Sequence, residues 1–172
     1  MRAKLITLTV IVFTIAFFRI LPHPANVSPV AAMALFGGAY FADKRVALII
    51  PFVALLMSDL VIGLHDTMVF VYASFALTMV IGYWIKSRQS FLTIASAAIA
   101  SSVLFFLVTN FGAWLSHGMY PMTAQGLVQS YAAGLPFFQN TLLGNLFFSA
   151  VLFGGFALLQ KRYFINHKTV TE

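Results

Sequence analysis

The sequence predicts an all-α membrane protein: a compact bundle of six transmembrane helices in one domain, residues 1–172, with both termini cytoplasmic. Three observations predict it. Hydrophobic residues make up 61% of the chain and charged residues 8%, against about 25% charge in ordinary soluble domains. The apolar residues fall into six runs separated by short polar or charged turns. All but one of the ten Lys and Arg residues fall on one side of the membrane when six crossings are counted from a cytoplasmic N-terminus, the positive-inside pattern.

The first run, 5–21, follows Arg2 and Lys4. A basic start before an apolar stretch also describes a signal peptide. The run is long for that role and no clear small-residue cleavage site follows, so it is read as the first helix. The second run, 29–42, opens on Pro29, whose missing N–H is not needed in a first helical turn. It is short for a span, which needs ~20 residues. Asp43, Lys44 and Arg45 then make a charged turn. The third run, 46–63, contains Pro51, which membrane helices tolerate. The fourth, 68–85, ends on Lys86 and Arg88; the fifth is 91–115. A less apolar segment follows, in which 123–133 is expected to form a short amphipathic helix on the outer surface. The sixth run, 136–159, leads to a basic tail.

Arg2, Lys4, Lys44, Arg45, Lys86, Arg88, Lys161, Arg162 and Lys168 then lie in the cytoplasm of a cell whose plasma (inner) membrane holds the chain, and Arg19 ends helix 1 on the outer side. The pI of about 9.9 is therefore topological. The expected partner is the lipid bilayer, not nucleic acid. Without cysteine, disulfides, thiolate metal sites and Cys nucleophiles are excluded.

Counting depth at ~1.5 Å per residue gathers the polar side chains in the outer half. Arg19 ends helix 1, and Asp59 lies about one turn below the outer surface. Tyr72 and Ser74 occupy the outer third of helix 4, Thr109 and Asn110 that of helix 5, with Trp114 at the interface. Gln139, Asn140 and Asn145 lie in the outer half of helix 6. Polar groups inside a bilayer are costly and mark sites or water-filled cavities. Arg19 and Asp59 are expected to pair. Between helices 1 and 2, Pro22, Pro24 and Pro29 stiffen a loop that would hold His23, Asn26 and Ser28 over the mouth of a pocket. Locally, Ser28 is expected to cap helix 2 and Asn26 to make an Asx turn.

The ligand-binding residues expected are thus Arg19, His23, Asn26, Asp59, Tyr72, Asn110, Trp114, Gln139 and Asn140. Loop histidines are more often simply solvated, so no metal is expected; His23, His65 and His117 would be the ligands of one. No cofactor is expected. Ala34, Gly38 and Ala42 form a small-residue stripe for close helix packing or for a partner. No nucleotide-binding or hydrolase motif occurs, so ATP hydrolysis is not expected.

Six helices in a chain of this size, an outer loop before helix 2 and an outer-half pocket resemble the substrate-binding S component of energy-coupling-factor vitamin transporters. The segments R-x-x-P-H-P-x-N-x-S-P (19–29), A-L-F-G-G-A-Y (34–40), S-D-L (58–60), T-N-F-G-A-W (109–114) and G-L-P-F-F-Q-N-T-L-L-G-N (134–145) are also similar to a group of small uncharacterised bacterial membrane proteins. The first resemblance implies capture of a vitamin-sized solute outside, the loop acting as a lid, and an energising membrane subunit with two ATPases as partners. In that family the small-residue motifs lie on helix 1, whereas here they lie on helix 2.

The function expected is membrane-embedded binding and uptake of a small polar or vitamin-like solute. The second reading is a structural or interaction membrane protein without transport. The third is an outer-face enzyme with His23, His65 or His117 as base and Asp59 or Asp66 as orienter. No His–carboxylate spacing specifies a reaction, so the chain is not expected to be an enzyme.

Overall fold

A helix that is apolar on every side and built largely of small residues can be packed closely by neighbours all round. The run beginning at Pro29 is such a helix. In the computed structural model, which describes residues 2–116 and 118–165, it forms α2, Val30–Tyr40, and is buried from Val30 to Ala39. Around it stand α1 (Arg2–Phe17, tightened into a 3₁₀ turn at Phe18–Ile20), α3 (Lys44–Ile62), α4 (Met68–Trp84), α5 (Phe91–Ser116) and α6 (Ala124–Ser149). All five touch α2. Among the described residues 82% are helical and none lies in a strand.

Four helical stretches are long and apolar enough to cross a membrane: Arg2–Ile20, Lys44–Ile62, Phe91–Ser116 and Ala124–Arg162. Their outward residues include Leu60, Val61, Leu143 and Leu158, all exposed. Such a surface is stable against lipid, and the chain is a multi-pass membrane protein. At ~1.5 Å per residue, α2 is only about 16 Å long, roughly half the hydrocarbon thickness of ~30 Å.

The two ends of the bundle differ. Arg2 and Lys4 line one groove with Tyr40, Phe41 and Asp43, and Lys86 donates to the Phe41 carbonyl at 2.8 Å. The start of α1, the end of α2, the start of α3 and the end of α4 therefore share a basic end. The 21–29 loop and the α3–α4 turn lie at the other, the loop end. Asp43 caps α3 by accepting from the Arg45 and Val46 N–H groups at 2.7 and 3.3 Å.

Close helix approach is concentrated between α2 and α4. A Cβ on Gly38 would overlap the Met79 carbonyl oxygen, and one on Gly82 would overlap that of Leu35. Each helix thus carries a glycine where the other's backbone passes. The ring of Pro51, inside α3, lies against Gly37 in the same way.

Three expectations need correction. Residues 123–133 do not form a separate surface helix. Thr123 caps a helix by accepting from the Gly126 N–H at 3.2 Å, and that helix runs past Pro136, continuing through π-helical turns at Ala150–Gly154 and Gln160–Ile165. Packing explains the continuity: Ser130 donates to the Asn110 carbonyl at 2.8 Å and Tyr131 to that of Leu107 at 2.9 Å, laying the first half of α6 along α5. Second, α2 stops at Tyr40, and Ala42 is exposed beyond it. Third, Ser28 does not cap α2: Pro29 holds the cap position and no side chain bonds to the first turn. Of the two uses expected of the small-residue stripe, Ala34 and Gly38 serve the first, close packing inside the bundle.

Gly38→Ala should destabilise the detergent-solubilised protein by ~1–3 kcal/mol, the usual cost of overpacking. Gly155→Ala, with nothing within 4 Å of the added carbon, should be neutral or stabilising by up to ~1 kcal/mol. Thermal unfolding of the two variants beside the wild type checks both.

Candidate functional site

A charged side chain in hydrocarbon needs a partner, and Arg19 has one. Its Nη1 lies 2.7 Å from Asp59 Oδ1, with 11% of the Arg19 side chain and 1% of the Asp59 side chain exposed. The same nitrogen donates to Ser58 Oγ and, at 3.4 Å, to the Leu55 carbonyl. The other carboxylate oxygen accepts from the Tyr72 hydroxyl at 2.9 Å, and Phe52 packs edge-on against the Tyr72 ring. One cluster therefore joins the end of α1 to α3 and α4.

Beside this cluster is a cavity of about 240 Å³. Arg19, His23, Asn26, Ser28, Val30, Ala31, His65, Thr141 and Asn145 line it, with Ile62, Val71 and Phe105. A second cavity of about 190 Å³ lies next to it between α5 and α6. Its wall is Thr67, Phe105, Phe106, Thr109, Asn110, Ala113, Gly134, Phe137 and Phe138, and it shares Asn26, Phe105 and Thr141 with the first.

The 21–29 loop roofs the first cavity. Its three prolines fix φ, the Val27 N–H donates to the Pro24 carbonyl at 3.1 Å, and Asn26 takes a left-handed φ of 62°, which Asn tolerates better than most residues. Asn140 on α6 donates to the Ala25 carbonyl at 3.0 Å, and Gly144 lets the helix pass close under Val27. The His23 Nδ1–H donates to the Pro24 carbonyl at 3.0 Å, since a carbonyl can only accept. That turns Nε2 into an acceptor in the neutral ring.

Of the expected ligand residues, the structure brings Arg19, His23, Asn26 and Asn110 to the cavity walls. Asp59 and Tyr72 stand behind Arg19 and hold it. Asn140 holds the loop instead of lining either cavity. Trp114 and Gln139 line neither: Trp114 donates to the Pro121 carbonyl at 2.9 Å, and exposed Gln139 turns back to the Pro136 carbonyl at 3.4 Å. Ser28, His65, Thr141 and Asn145 are wall residues absent from the expected set. On α6 the wall residues are Gly134, Phe137, Phe138, Thr141 and Asn145, spaced i, i+3, i+4, i+7, i+11, one face of a helix. That periodicity was the readable signal. Asn145 also ties α5 to α6, donating to the Ala98 carbonyl at 2.8 Å and to Ser101 and Ser102 Oγ at 2.9 and 3.0 Å. Among the described residues no three His, Cys, Asp or Glu side chains are grouped to hold a metal; His117, one of the three candidate ligands, lies outside them.

The profile of a family of unknown function, DUF6580, matches residues 1–169, almost the whole chain. The chain belongs to DUF6580. No curated protein and no solved structure matches it. Membership in DUF6580 assigns no residue a role.

Asp59→Ala should cost ~3–5 kcal/mol, because it leaves the Arg19 charge without its partner. The double variant Arg19→Met/Asp59→Leu should recover most of that loss, since an apolar pair has no desolvation cost. A double-mutant cycle by thermal unfolding in detergent measures both.

Proposed function

We propose that this chain is a membrane-embedded binding protein for a small polar solute, acting in uptake from the face at which the 21–29 loop lies. One observation carries the reading: a cavity at the loop end of the bundle whose charged wall residue, Arg19, is paired with a buried carboxylate that a tyrosine in turn holds. An ion pair that only joined two helices would not need a cavity on its open side. The positive-inside distribution of Lys and Arg makes the loop end the outer face of a bacterial inner membrane. The loop then acts as a lid, tethered by Asn140.

The resemblance to the S component of energy-coupling-factor transporters supports the same direction of uptake. It also supports an energising membrane subunit with ATPases as partner, because the chain has no nucleotide-binding motif. With Ala34 and Gly38 buried, that subunit would dock elsewhere than on the small-residue stripe. The chain acts on this reading as a binder and not as an enzyme.

The rival reading, an interaction protein whose polar residues only join helices, draws on Asn145 and Ser130, which do join α6 to α5. Native mass spectrometry of protein purified in mild detergent separates the two. The transport reading expects a retained small molecule, reduced by His23→Ala or by Asn26→Gly, which removes the side chain but keeps the left-handed φ available, at little change in thermal stability. Protein that carries none, and binds none from a metabolite extract, sinks it.

Asn140→Ala should cost only the ~0.5–1.5 kcal/mol of one hydrogen bond in stability. It should release bound solute faster, as a loosened lid would, and dissociation followed by dilution into solute-free buffer checks the rate.

A further inference from the structure

The donors left over in the first cavity indicate the chemical class of its ligand. A guanidinium carries five N–H groups in a planar fork. Arg19 uses Nη1 alone on Asp59, Ser58 and the Leu55 carbonyl. Among the described residues Nε and Nη2 make no hydrogen bond, and Arg19 lines the cavity. The Nε/Nη2 edge is the one that matches a carboxylate bidentately. A lysine ammonium would pair with Asp59 equally well by charge, but it would not leave such an edge over.

The balance of charge agrees. Among the described residues no Asp or Glu lines the cavity, and Asp59 is already held by Arg19 and Tyr72. The first turn of α2 borders the same cavity through Val30 and Ala31 and has no side-chain cap. Its free N–H groups face that end of the helix, which carries about half a positive charge. With Arg19 offset by Asp59, the remaining field suits one negative charge and not two. Next to this polar end, Phe105, Phe106, Phe137 and Phe138 wall the adjoining cavity, with the rings of Phe106 and Phe138 centred 5.1 Å apart.

We infer that the solute is a small organic monocarboxylate with a flat aromatic or cyclic body. The carboxylate meets the Nε/Nη2 edge of Arg19 near the start of α2, and the body lies among the phenylalanines between α5 and α6. This inference rests on the proposed binding function and adds the substrate class to it.

The test uses the full chain in detergent with three probes of one shape: benzoate, benzamide and phenyl phosphate, each titrated by thermal shift and native mass spectrometry. Benzoate is expected to bind at least tenfold more tightly than either of the others. Arg19→Lys should keep the unfolding temperature, since the pair with Asp59 persists, and remove that preference. Phe138→Ala should weaken benzoate and leave acetate, which lacks the body, unaffected. Equal binding of benzamide, tighter binding of phenyl phosphate, no binding of benzoate, or full preference in Arg19→Lys would each overturn the inference. If purified protein retains a solute without a carboxylate, the substrate class fails while the binding function stands. If it retains and takes up none, both fail.

Discussion

A guanidinium and a carboxylate cannot be placed singly in hydrocarbon, and most of the loop end follows from placing them together. Desolvating each ion costs several kcal/mol, and their attraction offsets this only when the geometry is good and the remaining hydrogen-bonding groups are filled. Here the geometry draws in the end of α1, the last turn of α3 and the first turns of α4. Ser58 and the Leu55 carbonyl fill Nη1, and Tyr72 fills the second carboxylate oxygen. Three helix ends are thereby held at one depth, and the cavity beside them inherits a rigid wall.

The second constraint is backbone contact. α2 is buried along almost its whole length, and enclosure by five helices demands small residues where backbones meet. Gly38 and Gly82 answer each other across α2 and α4, and Gly37 takes the ring of Pro51. These contacts fix α2 toward the basic end. Above its first turn the bundle has no helix at its centre, and that space holds the loop and the cavity.

Much of the fold was legible in the sequence because a bilayer separates apolar runs from charged turns more sharply than water does. The continuity of α6 was hidden: Ser130, Gln129 and Gly126 lower the hydrophobicity of its first half, and Pro136 looks like a beginning. Tertiary bonds from Ser130 and Tyr131 to α5 override that local signal. At the site, the Arg19–Asp59 pair was legible because charges are scarce. Trp114 and Gln139 were misplaced because a count of depth gives height along a helix but not direction around it. Gln139 and Asn145 lie on the same helix, yet only Asn145 shares a face with Thr141 and Phe138. Ser58 was overlooked because a hydroxyl next to a carboxylate carries little signal of its own until the guanidinium between them is seen.

On the proposed uptake reading, the shortness of α2 sets the length of the path that remains. A solute lodged at its first turn would have only this helix between it and the basic end. What separates it from the basic end is no longer a full bilayer but a single eleven-residue plug about 16 Å deep. The glycines that seat this plug against α4 are therefore also where such a path would have to open: the barrier is thin, and it is held by backbone contact with α4 together with the rings of Phe36 and Tyr40 against Phe153 and Phe156.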